Sequence, residues 1–99
     1  MSLKEAKDAY IGKLKVQLDE WSADIDALEA KGKQVDTDLR GKYQDKADEL
    51  RYQIVLAQGR IVDLQAAADD AWEDIRNGSE SIWATVKQTF ADAKAKFDR

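Results

Sequence analysis

The chain has 99 residues, enough for one small domain or one protomer of an elongated coiled coil. Charged residues make up 36%, proline is absent, and Ala, Glu, Lys, Leu and Arg fill 45 positions, a mix typical of long helices and foreign to α/β enzymes. The absence of cysteine and histidine removes thiolate sites, disulfides and the commonest general base, while a net charge of −4 argues against a sequence-independent grip on nucleic acid.

The first element is an amphipathic helix. Ile11, Leu14, Leu18, Trp21, Ile25 and Leu28 follow a 3-4-3-4-3 spacing, which is the seam of a heptad repeat. Gly32 suggests a turn, yet the phase runs through it to Val35 and Leu39. Because a loop has no reason to keep helical phase, the reading is a continuous helix, with Gly32 costing about 1 kcal/mol relative to alanine.

Beyond Leu39 the spacing becomes 4-4-3 through Tyr43, Ala47 and Leu50, then resumes through Ile54, Ala57, Ile61, Leu64 and Ala68. A second 4-4-3 step passes through Trp72 to Ile75. Such insertions of four straighten a supercoil. The break in this reading falls at Asn77-Gly78-Ser79, where asparagine and glycine suit a helix C-cap and serine an N-cap. A second amphipathic helix follows, carrying Ile82, Trp83, Val86, Phe90, Ala93 and Phe97 on one face.

The expected fold is therefore all-α: a long helix over about 4–76, then a short antiparallel helix over about 80–98, in a single helical domain spanning 1–99. The alternative is a spectrin-like three-helix bundle that turns near 31–37, with Asp36 or Thr37 as N-cap. In the first arrangement, Trp83 lies level with Trp72 to Asp74, and Phe90 approaches Ala66 to Ala68. A rod of that kind leaves its seam in water, so self-association is expected through Ile11, Leu14, Leu18, Trp21, Ile25, Leu28, Val35, Leu39, Leu50, Ile54, Ile61, Leu64, Trp72 and Ile75.

No catalytic, cofactor or metal site is expected. The carboxylates Asp69, Asp70, Glu73 and Asp74 share about one helical turn, but calcium needs six to eight oxygens from a wrapping loop. Serines 2, 22, 79 and 81 have no histidine to activate them. Residues 79–99 are the only cationic third, at +1, so Ile82, Trp83, Val86, Phe90 and Phe97 offer an alternative role as a membrane-surface face. The longest aliphatic run, Ile54-Val55-Leu56-Ala57, is far too short to span a bilayer. Residues 1–5 lack the apolar core of a signal peptide, which leaves the cytoplasm as the default location.

The blocks Lys13-Leu14, Gln17-Leu18-Asp19-Glu20-Trp21, Asp24-Ile25-Asp26 and Leu28 resemble the opening of small bacterial coiled-coil proteins labelled as a stress-response family. The likeness continues through Tyr43, Leu50-Arg51 and Ala71-Trp72-Glu73-Asp74 to Gly78, Glu80, Trp83 and Phe90. It departs at Gly32, Gly41 and Gly59, where such proteins carry alanine or charged residues. The resemblance implies an all-helical, cytoplasmic bacterial protein associated with stress, with no catalytic activity and no defined binding residues to transfer. The expected function is a non-enzymatic coiled-coil oligomerisation or interaction protein.

Overall fold

The computed structural model describes residues 2–97, which form three helices: α1 (Leu3–Gly32), α2 (Thr37–Ala66) and α3 (Trp72–Phe97). Their Cα framework measures 53 × 19 × 19 Å, the outline of a slim bundle with α1 and α2 each 30 residues long. The all-α expectation holds. The alternative three-helix arrangement is the one observed, and the continuous helix over 4–76 is not.

The ends of α1 explain its length. The Ser2 hydroxyl accepts from the Glu5 amide at 3.2 Å, so the Ser-x-x-Glu pattern covers one orphan donor of the first turn. At the other end the Lys33 amide donates to the Glu29 carbonyl, and the chain then leaves the helix. Gly32 permits this because a Cβ there would lie 2.8 Å from Cβ of Tyr43, so only glycine lets α2 start so close. Asp36 caps α2 with its backbone, its carbonyl accepting from the amides of Leu39 and Arg40. The Arg40 side chain ties the connection down by donating to the carbonyls of Val35 at 3.3 Å and Lys33 at 3.4 Å.

The helical phase across Gly32 is therefore a coincidence. Val35 sits half-buried in the connection and Leu39 is 42% exposed, so neither continues the seam. Glu29, on the last full turn of α1, pairs across the bundle with Arg51.

The second connection, residues 67–71, carries no glycine or proline. Ala67 leaves α2 in an extended conformation (φ −63°, ψ 131°), and its carbonyl accepts from the Lys7 ammonium at 2.7 Å. Lys7 also pairs with Asp69 at 3.8 Å and lies 5.4 Å from the Trp72 ring, so one lysine from α1 holds the whole corner. Glu73 and Asp74 open α3, where carboxylates favour the positive end of the helix dipole.

Asn77-Gly78-Ser79 is not a break. All three residues lie inside α3, and no described residue has a positive φ. The physical reason is that Ser79 occupies an inward heptad position between Ile75 and Trp83, and it is buried. Gly78 faces outward with no neighbouring atom against its Cβ position. Consequently α3 begins eight residues earlier than the expected helix, and the expected end at residue 98 lies outside the described residues.

The core is one cluster along the bundle axis. Ile11, Leu14, Leu18, Trp21, Ile25 and Leu28 enter from α1, and Ala47, Leu50, Ile54, Ala57, Ile61 and Leu64 from α2. Trp72, Trp83, Val86, Phe90 and Ala93 enter from α3, with Ile75 and Phe97 packed at the margin. At about 1.5–3 kcal/mol per buried large apolar side chain, this cluster supplies the main drive to fold.

Candidate functional site

Two apolar surfaces compete for the role of functional site, one inside the bundle and one outside it. The inner one is aromatic. Trp21 stacks on Phe90 with centroids 5.0 Å apart and planes 12° from parallel, and its other neighbour is Trp83 at 5.2 Å. Tyr10 meets Trp72 edge-on at 5.8 Å near one end of the bundle, and Tyr43 meets Phe97 at 4.9 Å near the other. Burial first, then the Glu80 carboxylate, pushes the Tyr10 hydroxyl above its usual range, against a lowering from Arg76.

These contacts correct two expectations. Trp83 and Phe90 pack on Trp21 of α1, not beside Trp72 and Ala66 to Ala68. The face formed by Ile82, Trp83, Val86, Phe90 and Phe97 points mainly into the bundle: Trp83, Val86 and Phe90 are buried, while Ile82 and Phe97 are half-buried. The seam residues Ile11, Leu14, Leu18, Trp21, Ile25, Leu28, Leu50, Ile54, Ile61, Leu64 and Trp72 are likewise covered by the chain's own helices.

A shallow cavity of about 260 Å³ opens between α1 and α3, floored by Leu28, Leu50, Phe90 and Ala93. Two lysines stand at its rim, and both are engaged. Lys94 lies 3.6 Å from the Asp24 carboxylate, and Lys31 donates to the Phe97 carbonyl. Asp69, Asp70, Glu73 and Asp74 are exposed, and no described group of three or more carboxylates is arranged to hold a metal ion. No described helix is long and apolar enough to cross a membrane.

The outer surface is the one the sequence reading passed over. Tyr52, Val55, Leu56 and Val62 are 62, 60, 40 and 61% exposed, and all four lie on α2. Together with Gly59 and Ala66, they recur at helical spacing along a line that runs roughly 160° around α2 from its core-facing line. Scattered exposed apolar residues need no explanation, but a continuous helical stripe does. Arg51 borders it on the side towards α1, where it pairs with Glu29, and Asp63 lies within its other flank, between the directions of Tyr52 and Leu56.

The missed signal was present in Ile54-Val55-Leu56-Ala57. In a helix these four residues cannot share one face. Ile54 and Ala57 turn inward, so Val55 and Leu56 must turn out.

No protein-family model matches the chain, no curated protein matches it, and no solved structure matches it.

Proposed function

We propose that this protein is a non-enzymatic helical interaction module that works by self-association. The observation that carries this reading is the outward apolar stripe of α2, a helix face with 40–62% exposure at Tyr52, Val55, Leu56 and Val62. The inner seam no longer supports it, because α2 and α3 already cover that seam. What calls for a partner is the second apolar face of α2, which folding leaves in water. The lack of histidine and cysteine, and the commitment of the tryptophans and phenylalanines to packing, support a binding role over a catalytic one. The resemblance noted above adds a cytoplasmic, bacterial and stress-associated setting to this reading.

Membrane binding through residues 79–98 is the weaker alternative. Trp83, Val86 and Phe90 are held against the core, so a bilayer reaches them only if α3 leaves the bundle.

Size-exclusion chromatography with light scattering tests the proposal. The expected result is an average mass that climbs above the 11.2 kDa of one chain as concentration rises. A mass that stays flat would sink it.

A further inference from the structure

The way α2 joins α3 provides a route to a dimer that rests on the self-association reading but not on the outer stripe of α2. We infer that two copies exchange their α3 helices, each chain straightening residues 67–71 so that α2 and α3 fuse into one rod. The argument starts from helical phase. At about 100° per residue, counted straight through the connection, the buried residues of α2 and α3 all fall within about 60° of a single line. Two helices joined by a turn need no common phase. A fused helix requires one, because its inner face then serves two bundles in a row.

A two-fold axis near residue 70, perpendicular to the plane of two antiparallel rods, sets α3 of each copy on the α1–α2 hairpin of the other. Rotation about that axis keeps the inner faces of both rods on the same side, as the shared phase demands. Tyr43 and Phe97 are equidistant from residue 70 and their rings meet at 4.9 Å, while Leu50 and Phe90, also equidistant, line one cavity. Both pairs therefore re-form between copies, as do the contacts of Trp21 with Trp83 and Phe90. Exchange of an identical element keeps the interfaces of the closed form, which makes it a low-cost path to a dimer.

The connection itself suits the rod. Residues 67–71 contain only alanine and aspartate. In the turn the amides of Ala68, Asp69 and Asp70 have no backbone acceptor, whereas a continuous helix offers them the carbonyls of Leu64, Gln65 and Ala66. Ala68 then takes the inward place that Ala67 holds in the closed form. Asp69, Asp70, Glu73 and Asp74 fall about 80° or more from the inward line, so the exchange does not press carboxylates together.

Two features oppose it. The Lys7 ammonium donates to the Ala67 carbonyl at 2.7 Å, a bond that the fused helix replaces, and the first turns of the two α1 helices meet end to end at the axis. Lys7 is thus the latch of the closed form, and exchange is favoured by high concentration. The first connection offers no such route. Fusing α1 to α2 would place Gly32 in a helix interior and carry the seam through Leu39, which is 42% exposed.

The test refolds an equal mixture of isotope-labelled and unlabelled full-length protein at about 1 mM and isolates the dimer by size exclusion. A carbodiimide then joins Lys94 to Asp24, which lie 3.6 Å apart. About half of the joined peptide pairs are expected to combine one labelled and one unlabelled partner, as random exchange between copies requires. Small-angle scattering is expected to show a dimer about 90 Å long, against 53 Å for the closed bundle. Ala68→Gly/Asp70→Gly changes two exposed residues outside the helices and is expected to lower the association constant about a hundredfold, glycine being a poor helix former. Lys7→Met, which releases the latch, is expected to raise it at least about tenfold. Far-UV circular dichroism confirms that each variant is folded, and the cross-link on the wild type needs no variant. A dimer whose Asp24–Lys94 links all lie within one chain overturns the exchange and leaves self-association standing. So does a dimer lost in Val55→Lys but indifferent to the two glycines. A chain that stays monomeric in both the wild type and Lys7→Met overturns the exchange and the self-association reading together.

Discussion

The two helix interfaces made by α1 are built on opposite principles. Towards α2 the backbones approach closely, helped by Gly32 beside Tyr43 and by Ala47 and Ala57 on the inward face. Towards α3 the backbones stand further apart, and rings fill the space: Trp21 between Trp83 and Phe90, and Tyr10 against Trp72. Interaxial distance follows the side chains at the contact. The comparison teaches that a single apolar stripe on α1 can serve two neighbours at different distances, because each neighbour brings residues of the size its distance needs.

The largest break in this comparison is Trp21→Ala. It removes the shared ring from the wide interface and is expected to destabilise the fold by about 3–5 kcal/mol in urea unfolding. A midpoint shift no larger than that of a surface variant would show that the aromatic stack contributes little.

On the close interface the opposite error is the informative one. Gly32→Ala introduces a Cβ 2.8 Å from Cβ of Tyr43, an atom too near the backbone to swing aside. Overpacking of about 1–3 kcal/mol then exceeds the gain of about 1 kcal/mol in helix propensity, so a net loss of up to about 2 kcal/mol is expected.

Gly78→Ala sharpens the contrast. Its Cβ position is open and its conformation is helical, so the variant is expected to gain about 0.5–1 kcal/mol. If residues 77–79 formed a turn, the same change would lose stability. Thermal melts of Gly32→Ala and Gly78→Ala should therefore move in opposite directions.

The smallest effect comes from pH. Tyr10 has its hydroxyl raised above the ordinary value of 10.0, chiefly by burial. A raised acid pKa means that the folded state favours the protonated form. The contribution is complete below the unfolded value and fades as pH climbs through the folded one. Stability should fall above pH 10 and fall less in Tyr10→Phe, as read from unfolding midpoints along a pH series.

The legible part of this structure was its inward face. Heptad spacing identified nearly every core residue of α1 and α2, because burial on a helix obeys a period that sequence displays directly. The turns were harder to read. Phase continuity from Leu28 to Leu39 argued for a rod, whereas the 4-4-3 steps at Leu39–Leu50 and Leu64–Ile75 sit beside both real connections. The second step spans the connection from α2 to α3, whereas the first lies inside α2, just past its start. In α3 the phase runs from Ile75 through Ser79 to Trp83, but a serine at an inward position looks like a cap when residues are judged by type. The outer stripe of α2 was hidden for a related reason. Once a core seam is assigned, exposed valines read as background, and only the burial of their neighbours shows that they line up.

The contacts that close the bundle join residues far apart in the chain: Lys7 to Ala67 and Lys31 to Phe97. The partners of Trp21 emerge after α1 and α2 during synthesis, because Trp83 and Phe90 belong to α3. At about 5–20 residues per second, the 26 residues of α3 take one to several seconds to be made. During that interval an α1–α2 hairpin shows an open tryptophan on one side and the Tyr52–Val62 stripe on the other. The nascent chain then exposes apolar residues on two faces, and arrival of α3 covers one of them. If copies pair as proposed, clustered translation on one messenger would bring them together before α3 is made, and the order of synthesis would then be part of how the assembly arises.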